Sequence, residues 1–100
     1  MIYLTQVLYI KEAQETVFEA FEKIALPLIT KYNGRLLLRI RPGKECIIER
    51  SIEAPYEIHL VEFNHEQDLI NFGKDEERLK YLHLKEQSIS SVLLIKGEAI

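Results

Sequence analysis

Three histidines, His59, His65 and His83, are the side chains of this 100-residue sequence that titrate near neutral pH, and they are the first candidates for chemistry. His59, Glu62 and His65 stand three residues apart, a step that on a helix would bring them toward one metal ion. On a strand the same step reverses the face, so His59 and Glu62 point to opposite sides and the trio makes no metal site. His65 falls in the first turn of a helix, where solvent reaches it. His83 and Glu86 can share a helical face but lack a third ligand. Ser90-Ser91 has no Gly-rich elbow and no acidic partner, so a hydrolytic nucleophile is not expected. The chain carries no phosphate loop, dinucleotide fingerprint or zinc pattern. No metal and no cofactor is expected, and no catalytic residue is assigned.

Five residues are candidate ligand contacts: His59, Arg39, Gln6, Tyr32 and Phe72. His59 sits mid-strand on the side of Val61 and Phe63, and a buried imidazole needs a partner for each ring nitrogen. It is either satisfied inside the sheet or a dimer interface, or it meets a ligand in a cleft, and burial alone favours the first. Gln6, an amide in an apolar row, has the same two readings and can face His59 if their strands are neighbours. Arg39 shares a row with Arg35 and Arg41, and guanidinium forks grip carboxylates. The same row can guard an edge strand or pair with Glu57 across a hairpin, and this second reading is favoured. Tyr32 and Phe72, like Tyr9, can line a cleft, but aromatic residues at these spacings far more often belong to a core, and that reading is favoured. Cys46, the single cysteine, reads as an ordinary free thiol.

The elements that must hold these residues follow from periodicity. Ile2 to Ile10 is a strand. The period then becomes helical, with Val17, Phe21, Ile24 and Leu28 in line, Phe18, Ala25 and Tyr32 beside them, and Glu15, Glu19, Glu22 and Lys23 on the opposite, solvated face. Pro27 predicts a kink between Lys23 and Pro27, and Asn33-Gly34 closes the helix. Arg35 to Arg41 alternates Leu36, Leu38 and Ile40 against Arg35, Leu37, Arg39 and Arg41, and stops at Pro42-Gly43. Residues 44–55 form a long connection in which Ile47-Ile48 either extends the strand or adds an edge ribbon. Tyr56 to Phe63 is a strand. Asn64 with Gln67 predicts the cap of a second helix, which carries Leu69 and Phe72 and continues across Gly73 to Leu79 and Leu82. Ser90 to Lys96 is the last strand.

The order β-α-β-β-α-β predicts a single α+β domain of ferredoxin-like topology over residues 1–100, an antiparallel sheet with its helices on one face and the first and third strands central. Both faces of that sheet are apolar: Tyr3, Val7 and Tyr9 against Ile2, Leu4, Leu8 and Ile10, then Val61 and Phe63 against Ile58 and Leu60. Leaving such side chains wet forgoes about 1.5 to 3 kcal/mol each. A second copy of the chain is the expected cover, giving an isologous homodimer packed sheet to sheet. The expected function is binding of a small, largely apolar molecule between helices and sheet, with cofactor-free oxygenation or isomerisation as the chemistry. The alternative is a non-catalytic interaction module using an acidic helical surface of Glu15, Glu19, Glu22, Asp75, Glu76 and Glu77.

In order, length and short motifs the chain resembles the dimeric α+β barrel superfamily and, within it, the DUF1330-like proteins. The residues that carry the likeness are Asn33-Gly34-Arg35 with Arg39 beyond, Glu49, and Val61-Glu62-Phe63-Asn64. Phe72 stands where a tryptophan is typical of that group, and Arg78-Leu79 where a tyrosine is. The resemblance implies an α+β barrel dimer with a cleft between helices and sheet and carries over no functional residue. A formal charge of −3 argues against nucleic acid, which is bound through clustered Lys and Arg. The lone cysteine and the absence of a basic, apolar leader or a membrane-length apolar run predict a cytoplasmic protein with no membrane partner.

Overall fold

The alternation of β1 (Ile2–Ile10) buries Leu4 and Leu8 on one side and leaves Tyr3, Val7 and Tyr9 on the other. In the computed structural model, which describes residues 1–100, β1 pairs antiparallel with β3 (Glu57–Phe63) and with β4 (Ile89–Gly97), and β3 pairs with β2 (Gly34–Ile40). The sheet order β2-β3-β1-β4 is that of the ferredoxin-like α+β fold, with the first and third strands central as expected. Helix α1 (Glu15–Leu28) buries Phe18, Phe21 and Ala25, and Ile29 just beyond it packs with Leu4, Val61 and Phe63 in the core. The molecule measures 36 × 36 × 16 Å, one sheet and one helical layer thick. No helix is long and apolar enough to cross a membrane.

The second helical segment departs from the expected single helix. It divides into α2 (Glu66–Gly73), α3 (Glu76–Lys80) and α4 (Leu82–Ser88). Gly73 ends the first piece, and Asp75 starts the next by accepting the backbone N–H of Arg78 at 2.9 Å. Asp75 also accepts from Tyr32 and, at 3.0 Å, from Lys31. These donors anchor the break to the end of α1 and hold the Asp75 carboxyl well below the usual range, with the Tyr32 hydroxyl the largest cause. The cap of α2 also lies one residue later than Asn64: His65 N–H donates to Asp68 at 3.1 Å, because the Asn64 N–H is already bonded to the Asn33 carbonyl across the sheet.

Pro27 does not split α1. The helix runs one residue past it, then tightens into a 3₁₀ turn over Ile29–Tyr32, in which the Ile29 N–H reaches Leu26 rather than the residue four back. Asn33 takes the left-handed conformation, φ 59°, that turns the chain into β2. Gly34 is required for closeness rather than for φ, since a Cβ there would lie 2.7 Å from both Ile29 and Phe63.

In β2 the expected alternation fails at one point. Leu36 pairs with Val61 and Leu38 with Leu60, so Leu37 is an extra residue, a β-bulge, and the faces exchange beyond it. Arg39 and Arg41 therefore join Leu36 on the helix side, while Arg35 shares the open side with Leu38 and Ile40. Residues 44–55 add neither strand nor ribbon: Lys44–Cys46 is a short 3₁₀ turn, and Ile48 is fully exposed. The acidic surface is smaller than composition suggests, because Glu22 and Asp75 are buried and Glu19 pairs with Arg39.

Candidate functional site

Between the helices and the sheet a cavity of about 300 Å³ remains. Its walls are apolar: Leu4 and Leu8 from β1, Ala25 and Ile29 from the α1 side, Val61 and Phe63 from β3, Leu69 and Phe72 from α2, and Val92 and Leu94 from β4. Four polar side chains interrupt them: Gln6, Glu22, Arg78 and Lys85. An apolar hollow with a few convergent polar groups is the form of a small-molecule site.

Glu22 is 5% exposed. Burial pushes its carboxyl up to about 7, the nearby negative charge of Glu57 adds to this, and Arg39, Arg78 and Lys85 oppose it. No hydrogen bond contributes to that balance. Arg78 and Lys85 also feel one another and Glu22 through space, and burial lowers the pKa of both. Arg78 lies over the ring of Phe72 at 5.3 Å and reaches the Gly73 carbonyl at 3.4 Å. The cavity thus holds one carboxyl that titrates near neutrality and two half-buried cations, each from a different helix.

Behind this cavity lies a second buried cluster. Glu57, 1% exposed, accepts from Arg39 Nε at 2.8 Å, from Arg41 Nε at 2.7 Å and from His59 Nε2. Glu19 of α1 closes the group by pairing with Arg39 and Arg41. Burial alone would raise the Glu57 pKa, but the hydrogen bonds from Arg39, His59 and Arg41 together outweigh it and the carboxyl is held below its usual value. Burial lowers the pKa of His59 despite the carboxylate beside it, so the ring is neutral. An ionised Glu57 accepts only, which places the ring proton on Nε2. The other nitrogen, Nδ1, is buried without a partner.

Of the five candidate residues, Gln6 and Phe72 line the cavity, while His59, Arg39 and Tyr32 do not. Gln6 and His59 are opposite each other in register, as the central pairing allows, yet His59 turns to Glu57. Gln6 makes no side-chain hydrogen bond and presents its amide to the cavity, contrary to the expectation for an amide in an apolar row. Arg39 and Arg41 have their forks filled by Glu57 and Glu19, which is the ion-pair reading of the basic row. Arg35 is separated from them by the bulge and pairs with Glu62 at 3.1 Å. Tyr32 supports the wall from behind, its ring edge-on to Phe72 at 6.2 Å.

Sequence reasoning missed Glu22, Arg78 and Lys85. For Glu22 a signal existed: Phe18, Glu22, Ala25 and Ile29 recur at helical spacing, and the other three are all buried. Arg78 and Lys85 carried none, because their inward direction depends on the two breaks in the second helical segment. No group of three His, Cys, Asp or Glu side chains comes together as a metal site.

No family model and no curated protein matches this chain. Solved structures do match it in shape. A protein of unknown function from Rhodopseudomonas palustris superposes with a TM-score of 0.84 at 9% identity, covering 99% of this chain and 82% of that one. A NIPSNAP domain protein from Burkholderia xenovorans superposes at 0.71 with 8% identity, covering 100% and 95%. A dimeric protein of unknown function from Bacteroides fragilis, described as having a ferredoxin-like fold, superposes at 0.70 with 12% identity, covering 98% and 95%. At these identities the likeness establishes the fold alone: the chain is a four-stranded, ferredoxin-like α+β domain.

Proposed function

We propose that this chain forms a homodimer of the dimeric α+β barrel type and binds a small, largely apolar molecule in the cavity between its helices and sheet. The observation that carries the binding reading is the cavity itself, about 300 Å³ with apolar walls and a buried carboxyl and two cations facing into it. The Glu22 carboxyl, with a pKa of about 7, suits the proton transfers of a cofactor-free isomerase or oxygenase.

A thermal-shift screen of monocyclic aromatics and quinones tests the binding reading. A ligand at roughly 100 times its Kd stabilises by about 2.7 kcal/mol, which raises the melting temperature by several degrees. Ala25→Trp, which fills the cavity, is expected to abolish the shift. Silence from every compound in such a library counts against the reading.

The homodimer is supported by the open side of the sheet. Leu38, Ile40, Leu93 and Ile95 lie there at 40% to 52% exposure beside Tyr3, Val7, Ile58 and Leu60. Contiguous apolar surface of this kind marks an interface, and one fold neighbour is described as dimeric. Sedimentation at micromolar concentration is expected to give a dimer, and Leu93→Lys a folded monomer. A monomeric wild type removes the assembly.

A further inference from the structure

Glu22, Arg78 and Lys85 reach the cavity from α1, α3 and α4, and no hydrogen bond or ion pair joins them. A carboxyl as deeply buried as Glu22 is ordinarily paired, because an unpaired buried polar group is costly. Here it is unpartnered and aimed into an apolar hollow. The remaining charges that face it come from the sheet: Glu57 and Arg39. Glu57 is already matched by Arg39 and Arg41, so Arg78 and Lys85 dominate the field in the cavity. Gln6 adds an unpaired amide from the floor. This is a set of donors for an anion, set among walls that accept a hydrocarbon.

We propose that the cavity takes an apolar monocarboxylate, whose carboxylate accepts hydrogen bonds from Arg78, Lys85 and the protonated Glu22, with its hydrocarbon part among Leu4, Leu8, Ile29 and Val61. The proposal rests on the small-molecule reading above and narrows it. An ionised ligand beside Glu22 adds a second negative neighbour to Glu57, so binding draws a proton onto Glu22. Affinity for the carboxylate therefore falls as pH rises past neutrality, by up to about tenfold per pH unit.

Octanoate, 1-octanol and octylammonium serve as probes of equal chain length, measured against the full chain by thermal shift and by calorimetry in two buffers of different ionisation heat. Octanoate is expected to bind at least roughly tenfold more tightly than octanol, with proton uptake near neutral pH, and octylammonium not to stabilise. Arg78→Met is expected to remove the preference for octanoate over octanol. Lys85→Met reports the same loss if Arg78→Met fails to fold. Glu22→Gln is expected to keep octanoate binding while losing both the proton uptake and the pH slope, a readout that a merely structural Glu22 would not move. Octanol binding as tightly as octanoate, or an unchanged slope in Glu22→Gln, overturns the carboxylate assignment and leaves the apolar-cavity reading standing. Failure of all three probes together with the aromatic and quinone library overturns both.

Discussion

Replacing Glu22 with glutamine should stabilise this protein above neutral pH by about 3 kcal/mol. The carboxyl titrates at about 7 in the fold against 4.5 for a free glutamate. The folded state therefore binds a proton more tightly than the unfolded chain, and stability falls as pH rises between those two values. A rise of about 2.5 at 1.36 kcal/mol each gives the figure. Glutamine imitates the protonated acid at every pH, so the variant escapes the loss. For a domain of this length the gain corresponds to a melting temperature higher by about 10 °C or more at pH 8. The comparison must be made as wild type against variant across pH 5 to 8. His59 acts in the opposite direction over part of that range: its folded pKa lies below 6.5, so its contribution is lost as pH falls. The difference between the two proteins isolates Glu22. A difference that stays constant with pH would show that the carboxyl is solvated.

The opposite effect is expected at Glu57. Glu57→Gln removes the buried anion on which Arg39, Arg41 and His59 converge, leaving Glu19, itself 35% exposed, as the one carboxylate for both guanidinium groups. Breaking one partner out of a buried ion cluster typically costs about 3 to 5 kcal/mol. Against a total stability of roughly 5 to 15 kcal/mol that brings the fold near its limit. Urea titration should show a lower midpoint with an unchanged slope. Arg39→Ala should cost less, since Arg39 is 31% exposed and its charge is partly solvated. If Glu57→Gln lies within 1 kcal/mol of wild type, about the worth of one ordinary hydrogen bond, the cluster is no anchor. Because the folded Glu57 pKa is depressed, its contribution is present above 4.5 and lost as pH falls through the folded value. Together the two glutamates bracket the pH range of greatest stability, one failing on the acid side and the other costing on the alkaline side.

Much of the fold was legible residue by residue. Ile2 to Ile10 pairs as a central strand because its period of two puts Leu4 and Leu8 on one face without ambiguity. Asn33 stops the helical stretch as its residue type predicts, though it closes the 3₁₀ turn that follows α1 rather than α1 itself. The site was less legible. Gln6 and Phe72 line the cavity, but the candidate histidine and arginine fell into a separate cluster, and the charged residues that face the cavity, Glu22, Arg78 and Lys85, were assigned to a solvated helix face or to no role. One extra residue in β2 is enough to move two arginines across the sheet, and nothing in Leu36-Leu37-Leu38 says which leucine is the extra one.

What this chain's sequence determined by itself is the order of elements, the antiparallel α+β class and the two apolar sheet faces, because each rests on a local period that a few neighbouring residues establish. Only the tertiary structure decided the bulge, the division of the second helical segment and the burial of Glu22 among Arg78, Lys85 and Glu57. Those depend on partners distant in sequence: Asp75 held by Tyr32 and Lys31, and the helix α1 pressed against a strand that follows it by some 30 residues. A carboxylate reads as solvent-facing from its neighbours in the chain. It becomes a buried acid only when elements distant in sequence pack around it.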